Sequence, residues 1–352
     1  MTVPHREVIH DRLFGWWRSN GRILPWREKL SAQPTLAQQE RNLPAPNQDL
    51  LREATFSSYF ASSQQRDPYR VVVAELMLQQ TQVDRVFPKY MAWMKQWPQI
   101  TDLAKATLAE VLIFWQGLGY NRRARFLWLL AQEISIKRQG VWPTTELELL
   151  TLPGIGKYTA RAIQSFAFGQ QVGVVDTNVK RIFERLYGAA KRSLADGRRA
   201  ATALPDKAYF GLADQILPQE QADPWNQALM DFGALICTAR APKCSLCPVQ
   251  DLCVVNIKAR ELGYINFAEC QKAELLQKPS SSLAKPKFET TDRYFRGRLI
   301  DELRGGTTTV LELKKRFQNN YGLSEEARFN KLVASLAQEG LIRIENGQVQ
   351  IG

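Results

Sequence analysis

Apolar residues recur at helical spacing along most of the chain. Residues 5–19 read as a short amphipathic helix rich in Trp and Phe. From Pro68 onward, Tyr69–Thr81, Val83–Trp97, Leu108–Trp115, Arg122–Lys137, Glu146–Leu150, Tyr158–Phe168, Val179–Tyr187, Pro205–Ile216 and Asn226–Ile236 each place apolar side chains about every third or fourth position, the helical period. Gly, Pro and Asp punctuate them. No alternating strand pattern precedes residue 340. The first 258 residues are therefore expected to be mainly α.

Two stretches break the pattern. Residues 28–67 are polar, rich in Gln and Ser and interrupted by prolines, and read as an inserted loop with some helix near Asp49–Phe60. Residues 259–290 read as a linker, most plainly after Gln271. A small unit follows over 291–352. Arg293–Leu303 suggests one helix, Thr309-Val-Leu-Glu312 a capping box that opens a second, and Ser324 a cap for a third. Ile342–Ile351 alternates around Asn346-Gly347, a hairpin signal. Three helices and a terminal hairpin are winged-helix-like, an order that serves DNA binding or protein binding.

Composition narrows the functions. At 352 residues the chain has the length of about two domains at ~150 residues each. No run approaches the ~18 apolar residues of a membrane helix, and the N-terminus has no signal-peptide pattern. An intracellular, cytoplasmic protein with no membrane partner is expected. Lys and Arg number 47 against 35 Asp and Glu, a net charge of +12 that favours a polyanion such as nucleic acid. Two histidines, both near the N-terminus, argue against His-ligated metals and Ser-His-Asp chemistry. Four of five cysteines (Cys237, Cys244, Cys247 and Cys253) are spaced C-x6-C-x2-C-x5-C. Clustered intracellular thiols suggest a metal. The single C-x2-C with uneven gaps favours a [4Fe–4S] cluster over zinc. Cys270 lies outside that set.

Leu152-Pro-Gly-Ile-Gly-Lys-Tyr-Thr-Ala160 joins two apolar helices. Gly154, Gly156 and Lys157 there suit a phosphate at a helix N-terminus, or form a plain helix–helix turn. Glu75 interrupts the apolar run Val71–Leu78, which suggests a buried carboxyl with a raised pKa, suited to acid catalysis; the plainer alternative is a surface Glu. Asp176 precedes a helix and on its own reads as an N-cap.

This hairpin, followed by Val175-Asp-Thr-Asn178 and the four-cysteine loop, resembles the helix-hairpin-helix (endonuclease III) superfamily of DNA glycosylases. Pro25-Trp-Arg27, Asp67-Pro-Tyr69, Glu75–Val83, Gly117-Leu-Gly-Tyr120 and Gly233–Cys237 are most similar to its MutY, adenine-excising branch. The resemblance covers about residues 5–27 and 68–258. It implies a six-helix domain (68–188), an iron–sulfur cluster domain (1–27 and 189–258) and a DNA cleft between them. It further implies excision of a flipped adenine opposite 8-oxoguanine or guanine in double-stranded DNA, by a monomer. Glu75 is then the acid and Asp176 the stabiliser of the sugar cation. Tyr158 supports that charge where lyases of the superfamily carry Lys, and Asn178 orients Glu75 or a water. Arg22, Trp26, Arg27 and Gln227 line the adenine pocket, and Gln80 and Tyr120 wedge into the base stack. Taken singly, Trp26 and Tyr120 read as core aromatics and Arg27 as a solvated charge.

The chain departs from that branch in three places. These are the insertion, Asn121 in place of a second Tyr, and a winged-helix-like pattern where a Nudix-like domain is usual. The competing readings are a thymine/uracil mismatch glycosylase, which typically lacks the Glu75–Thr81 block, and a non-catalytic DNA-binding protein on the same scaffold.

Overall fold

A computed structural model describes residues 5–28, 66–188, 205–277 and 287–352. Most of the insertion, including the helix expected near Asp49–Phe60, lies outside the described residues. The chain forms two compact units, residues 1–71, 144–150 and 156–280, and residues 72–143, 151–155 and 281–352.

The first unit is helical. It contains α1 (Arg6–Asn20), a 3-10 turn Pro25–Arg27, and the first turn of α2 (Pro68–Leu78). The other helices of the second unit's early part follow as α3 (Val83–Gln96), α4 (Ile100–Lys105), α5 (Leu108–Phe114) and α6 (Arg122–Gln132). The first unit resumes with α7 (Glu146–Leu149), α8 (Lys157–Ala162), α9 (Thr177–Leu186), α10 (Asp206–Gln215), α11 (Ala222–Leu235), α12 (Val254–Glu261) and α13 (Phe267–Gln277). Both α6 and α8 end in a wider π turn, Glu133–Lys137 and Ile163–Ala167. Helix starts follow local chemistry. Thr107 and Glu110 form a reciprocal capping box on α5, and Thr145 caps α7.

The α13 helix stands where a linker was read from composition. Phe267 and Cys270 are buried with Val255 and Ala259 of α12, and Phe267 N–H donates to the Asn256 side chain at 2.9 Å. Apolar burial thus orders a segment whose polar residues suggest a tether.

One buried carboxylate fastens the first unit. Asp231 of α11 is wholly buried and accepts five hydrogen bonds. Trp17 Nε1 of α1 donates at 2.9 Å, the Arg22 backbone N–H at 3.0 Å, and Arg22 Nε at 2.7 Å. Arg27 completes the set with two parallel bonds at 2.7 and 2.9 Å. Burial alone would raise the pKa of this carboxyl, but Arg27 and Arg22 hold it down at about 2. Next to it Arg66, also buried, donates to the carbonyls of Arg27 and Phe166 and to Asp223.

In the second unit the C-terminal segment packs with residues 72–143. It comprises α14 (Asp292–Leu303), β1 (Thr308–Thr309), α15 (Val310–Tyr321), α16 (Glu326–Gln338), β2 (Ile342–Glu345) and β3 (Gln348–Ile351). The sheet order is β1-β3-β2, antiparallel throughout, with Thr308 opposite Val349 and Ile342 opposite Ile351. Asn346 and Gly347 both have positive φ, as a two-residue hairpin turn requires. Thr309 caps α15 through Glu312 N–H, as its sequence indicates. Ser324 does not cap α16; Glu325 holds the N-cap position without a side-chain bond. The Arg304 guanidinium of this segment donates to the Leu112 carbonyl of α5.

Asp231→Asn should lower stability by about 3–5 kcal/mol, since it strands the buried Arg27 guanidinium and the half-buried Arg22. Because the folded pKa of Asp231 is depressed, its contribution is complete above the unfolded carboxylate range. It is lost as pH falls from about 4 towards 2. Thermal melts of both proteins from pH 7 to pH 2.5 should converge at the acid end. Parallel curves would remove Asp231 from its fastening role.

Candidate functional site

Asp176 is the N-cap of α9. Its Oδ1 accepts from Val179 N–H at 2.7 Å, and its Oδ2 from the Asn178 side-chain amide at 2.9 Å. The Asn178 amide, a candidate to orient Glu75 or a water, donates to Asp176. Behind Asn178, Arg181 donates at 2.8 Å to Asn178 Oδ1, to the Gly233 carbonyl and to the Cys237 carbonyl. Gly233 permits this arrangement. A Cβ there would lie 2.7 Å from Asn178 Cβ, so α9 and α11 can approach this closely only without one. Tyr158 is half-buried on α8. Gly156 is the N-cap of α8, and exposed Lys157 lies 4.6 Å over the Phe210 ring and 3.7 Å from Glu146. Gly154 has φ +76 and sits against Phe126, with no room for a Cβ.

The four side chains expected to line a base pocket are all in the first unit. Arg27, Trp26 and Gln227 are buried, and Arg22 is half-buried. The structure brings Arg22 and Arg27 together on Asp231, one helical turn beyond Gln227. Arg27 is thus no solvated charge, and its bidentate pairing with Asp231 is a fixed part of the scaffold.

Glu75 belongs to the second unit. It is 8% exposed on α2, between Ala74 and Leu76, both nearly inaccessible. In the same unit the Tyr120 hydroxyl donates to the Gln80 side chain. Both residues hold left-handed backbone angles, φ +55 for Gln80 and +48 for Tyr120. Such angles cost a side-chain-bearing residue roughly 1–2 kcal/mol. Arg123 braces both turns. Its buried guanidinium donates to the carbonyls of Leu76, Met77 and Gln79 and to Thr81 on one side, and to those of Leu118 and Gly119 on the other. Burial pushes its pKa down to about 10, still cationic at neutral pH.

The four cysteines of the spaced set surround one cavity, walled by Ile182, Leu186, Phe232, Val249 and Val255. N–H donors point at the sulfurs: Arg185 reaches Cys237 Sγ at 3.5 Å, and the Ala268, Val249 and Asn256 amides bond Cys244, Cys247 and Cys253. Burial pushes the Cys247 thiol up to about 12 and Cys253 to about 11. In so apolar a cavity thiolates persist only against bound cations. Soft sulfur donors, apolar walls and N–H groups on the sulfurs fit an iron–sulfur cluster.

Asp231, Arg123, Arg181 and Arg66 escaped sequence reasoning. Each has partners distant in the chain, and only an Asp within the apolar run Ala228–Ile236 hinted at one of them.

Residues 73–203 match the HhH-GPD superfamily of base excision DNA repair proteins, and residues 237–253 the iron–sulfur binding domain of endonuclease III. An adenine DNA glycosylase of Mycolicibacterium smegmatis is 37% identical over 279 residues, spanning 78% of this chain and 84% of the relative. The adenine DNA glycosylase of Mycobacterium tuberculosis is 33% identical over 345 residues, 97% of this chain and 92% of the relative. Among solved structures, a thermostable thymine-DNA glycosylase superposes with a TM-score of 0.54 at 26% identity, covering 72% of this chain and 97% of that one. The chain therefore carries an iron–sulfur site on a DNA-binding repair scaffold. Among the described residues no helix is long and apolar enough to cross a membrane.

Single Cys→Ser changes at positions 237, 244, 247 and 253 should each lower bound iron, measured by metal analysis of anaerobically purified protein. Cys270→Ser should leave it unchanged. Iron loss confined to Cys270→Ser would reassign the ligands.

Proposed function

The chain belongs to the adenine DNA glycosylase family within the HhH-GPD superfamily of base excision DNA repair proteins, and we propose that it hydrolyses the N-glycosidic bond of adenine mispaired with 8-oxoguanine or guanine. The observation that carries the reading is Glu75, a nearly inaccessible carboxyl on an otherwise apolar helix. An acid so placed has one use in this chemistry, to protonate a base that is otherwise a poor leaving group.

The glycosidic bond is shielded inside a duplex, so the nucleotide leaves the stack first, with Gln80 and Tyr120 filling the gap. Glu75 then gives its proton to adenine N7. As the bond breaks, the sugar gains positive charge, and Asp176 stabilises that cation or captures it covalently. Asn178 holds Asp176 in position through its 2.9 Å bond. Tyr158 supports the charge by hydrogen bonding. Trp26 and Gln227 line the base pocket, framed by Arg22 and Arg27 in their Asp231 pairing. The backbone at Gly154 and Gly156, with Lys157, takes a phosphate of the same strand. Cys237, Cys244, Cys247 and Cys253 hold a [4Fe–4S] cluster, about four irons per chain, which cross-links their loop when bound. The protein works as a monomer on double-stranded DNA.

Tyr158 stands where a lyase of this superfamily has an amine. No imine with the opened sugar can form there, so the enzyme is monofunctional. The thymine-excising alternative has weaker support, because the Glu75–Thr81 block is of the adenine type.

Glu75→Gln should cut single-turnover base release by ~10²–10⁴-fold with duplex affinity retained. Near-normal release would take Glu75 out of the mechanism. Product strands should also stay intact until heated in alkali; efficient borohydride trapping of the unaltered enzyme on DNA would contradict the monofunctional assignment. A panel of single-mismatch duplexes tests the substrate directly, and preferential release of thymine or uracil would favour the alternative.

A further inference from the structure

Most of the cations on the helices of the C-terminal segment are paired with carboxylates. Arg296 donates to Glu339 and to Ser335, each at 2.7 Å. Arg298 lies 3.1 Å from Asp301, Lys314 2.9 Å from Glu326, and Arg316 3.4 Å from Glu312. Arg293, on the first turn of α14, has no carboxylate partner among the described residues. Its guanidinium lies 3.9 Å from the centre of the Tyr120 ring and 5.6 Å from that of Phe288.

That contact bears on an already constrained residue. Arg123 fixes the backbone under Tyr120 and Gln80 through carbonyls of both turns. The hydroxyl of Tyr120 is tied to Gln80. The remaining freedom is rotation and tilt of the ring, and a planar guanidinium at 3.9 Å restricts it. All these groups line one open cleft of about 810 Å³, together with exposed Arg85 and Arg122.

We propose that Arg293 is a positioning residue for the wedge: it holds the Tyr120 ring in the attitude that enters the base stack, so that α14 of the C-terminal segment belongs to the base-extrusion machinery. This rests on the reading of Gln80 and Tyr120 as the wedge. The segment then acts on the extrusion step through one stacked cation and contributes little general phosphate affinity. The flat face of Arg matters most, and Lys retains the charge over the ring without the stacking.

The test uses the full chain and a duplex with 2-aminopurine beside the adenine of an A·G mismatch, whose fluorescence rises when the stack opens. Arg293→Ala should reduce both the fluorescence rise and the single-turnover rate about threefold to tenfold, the scale of one cation–π contact. Duplex affinity should change less than twofold and the melting midpoint should hold. Arg293→Lys should recover part of the loss. Tyr120→Ala should show a larger defect, and adding Arg293→Ala to it should cost nothing further. If Tyr120→Ala impairs opening and Arg293→Ala does not, the proposal fails while the wedge reading stands. If neither matters, the wedge reading itself is wrong. An additive loss in the double variant, or a lowered midpoint that Arg293→Lys does not relieve, would show that Arg293 does not act through Tyr120 and would overturn the proposal.

Discussion

The first unit depends on how Asp231 is satisfied. A carboxylate with no solvent access is costly to bury, and it is tolerated only where donors replace its water. Here five N–H groups do so, one from Trp17 of α1, two from Arg22 and two from Arg27. The donors lie more than 200 residues away in sequence, so the N-terminal strand of the chain is drawn onto α11. With its position fixed, α11 carries Gly233 two residues further on, where the missing side chain lets α9 approach. Cys237 begins just beyond the end of the helix. The Arg22–Arg27 turn, the Asp176 cap and the thiol loop are thus referenced to one helix.

The second unit uses the opposite charge to the same end. Arg123 is buried without a carboxylate among its hydrogen-bond partners; carbonyl oxygens and one hydroxyl receive its N–H groups. Carbonyls offer partial charge without titrating, so the brace is insensitive to pH across the neutral range. It also offsets the left-handed backbone of Gln80 and Tyr120. Residues held in such angles persist only when their surroundings over-determine them.

What was legible in the sequence is what local chemistry decides. Apolar periodicity located most helices, Thr309 and Asp176 declared themselves as caps, and Asn346-Gly347 announced its hairpin. The cysteine spacing indicated a shared metal site because ligand loops are short. Contacts between distant segments left no such trace. Nothing around Arg123 distinguishes it from a surface charge until the fold brings acceptors to it, and the apolar run around Asp231 hints at burial without naming its donors. Ser324 misled because a cap needs the helix to begin at the next residue, and α16 begins at Glu326. The basic residues of the C-terminal segment are a further case of partners hidden from the sequence. Glu302, Glu312, Glu326 and Glu339 are scattered in sequence but meet those cations in space. A count of charges along the chain does not show that pairing.

Asp176 shows why the structural and the chemical readings of a residue need not compete. A carboxylate has about four acceptor directions on two oxygens. Capping α9 uses one on Oδ1, and Asn178 uses one on Oδ2. Each oxygen keeps a second direction. The bonds already made fix the carboxylate's plane, and Arg181 fixes Asn178 in turn. A group oriented in advance needs no reorganisation when positive charge develops beside it. Such preorganisation is the main way fixed charges lower a barrier. The cap is therefore the means by which the fold holds this carboxylate still for the role proposed for it.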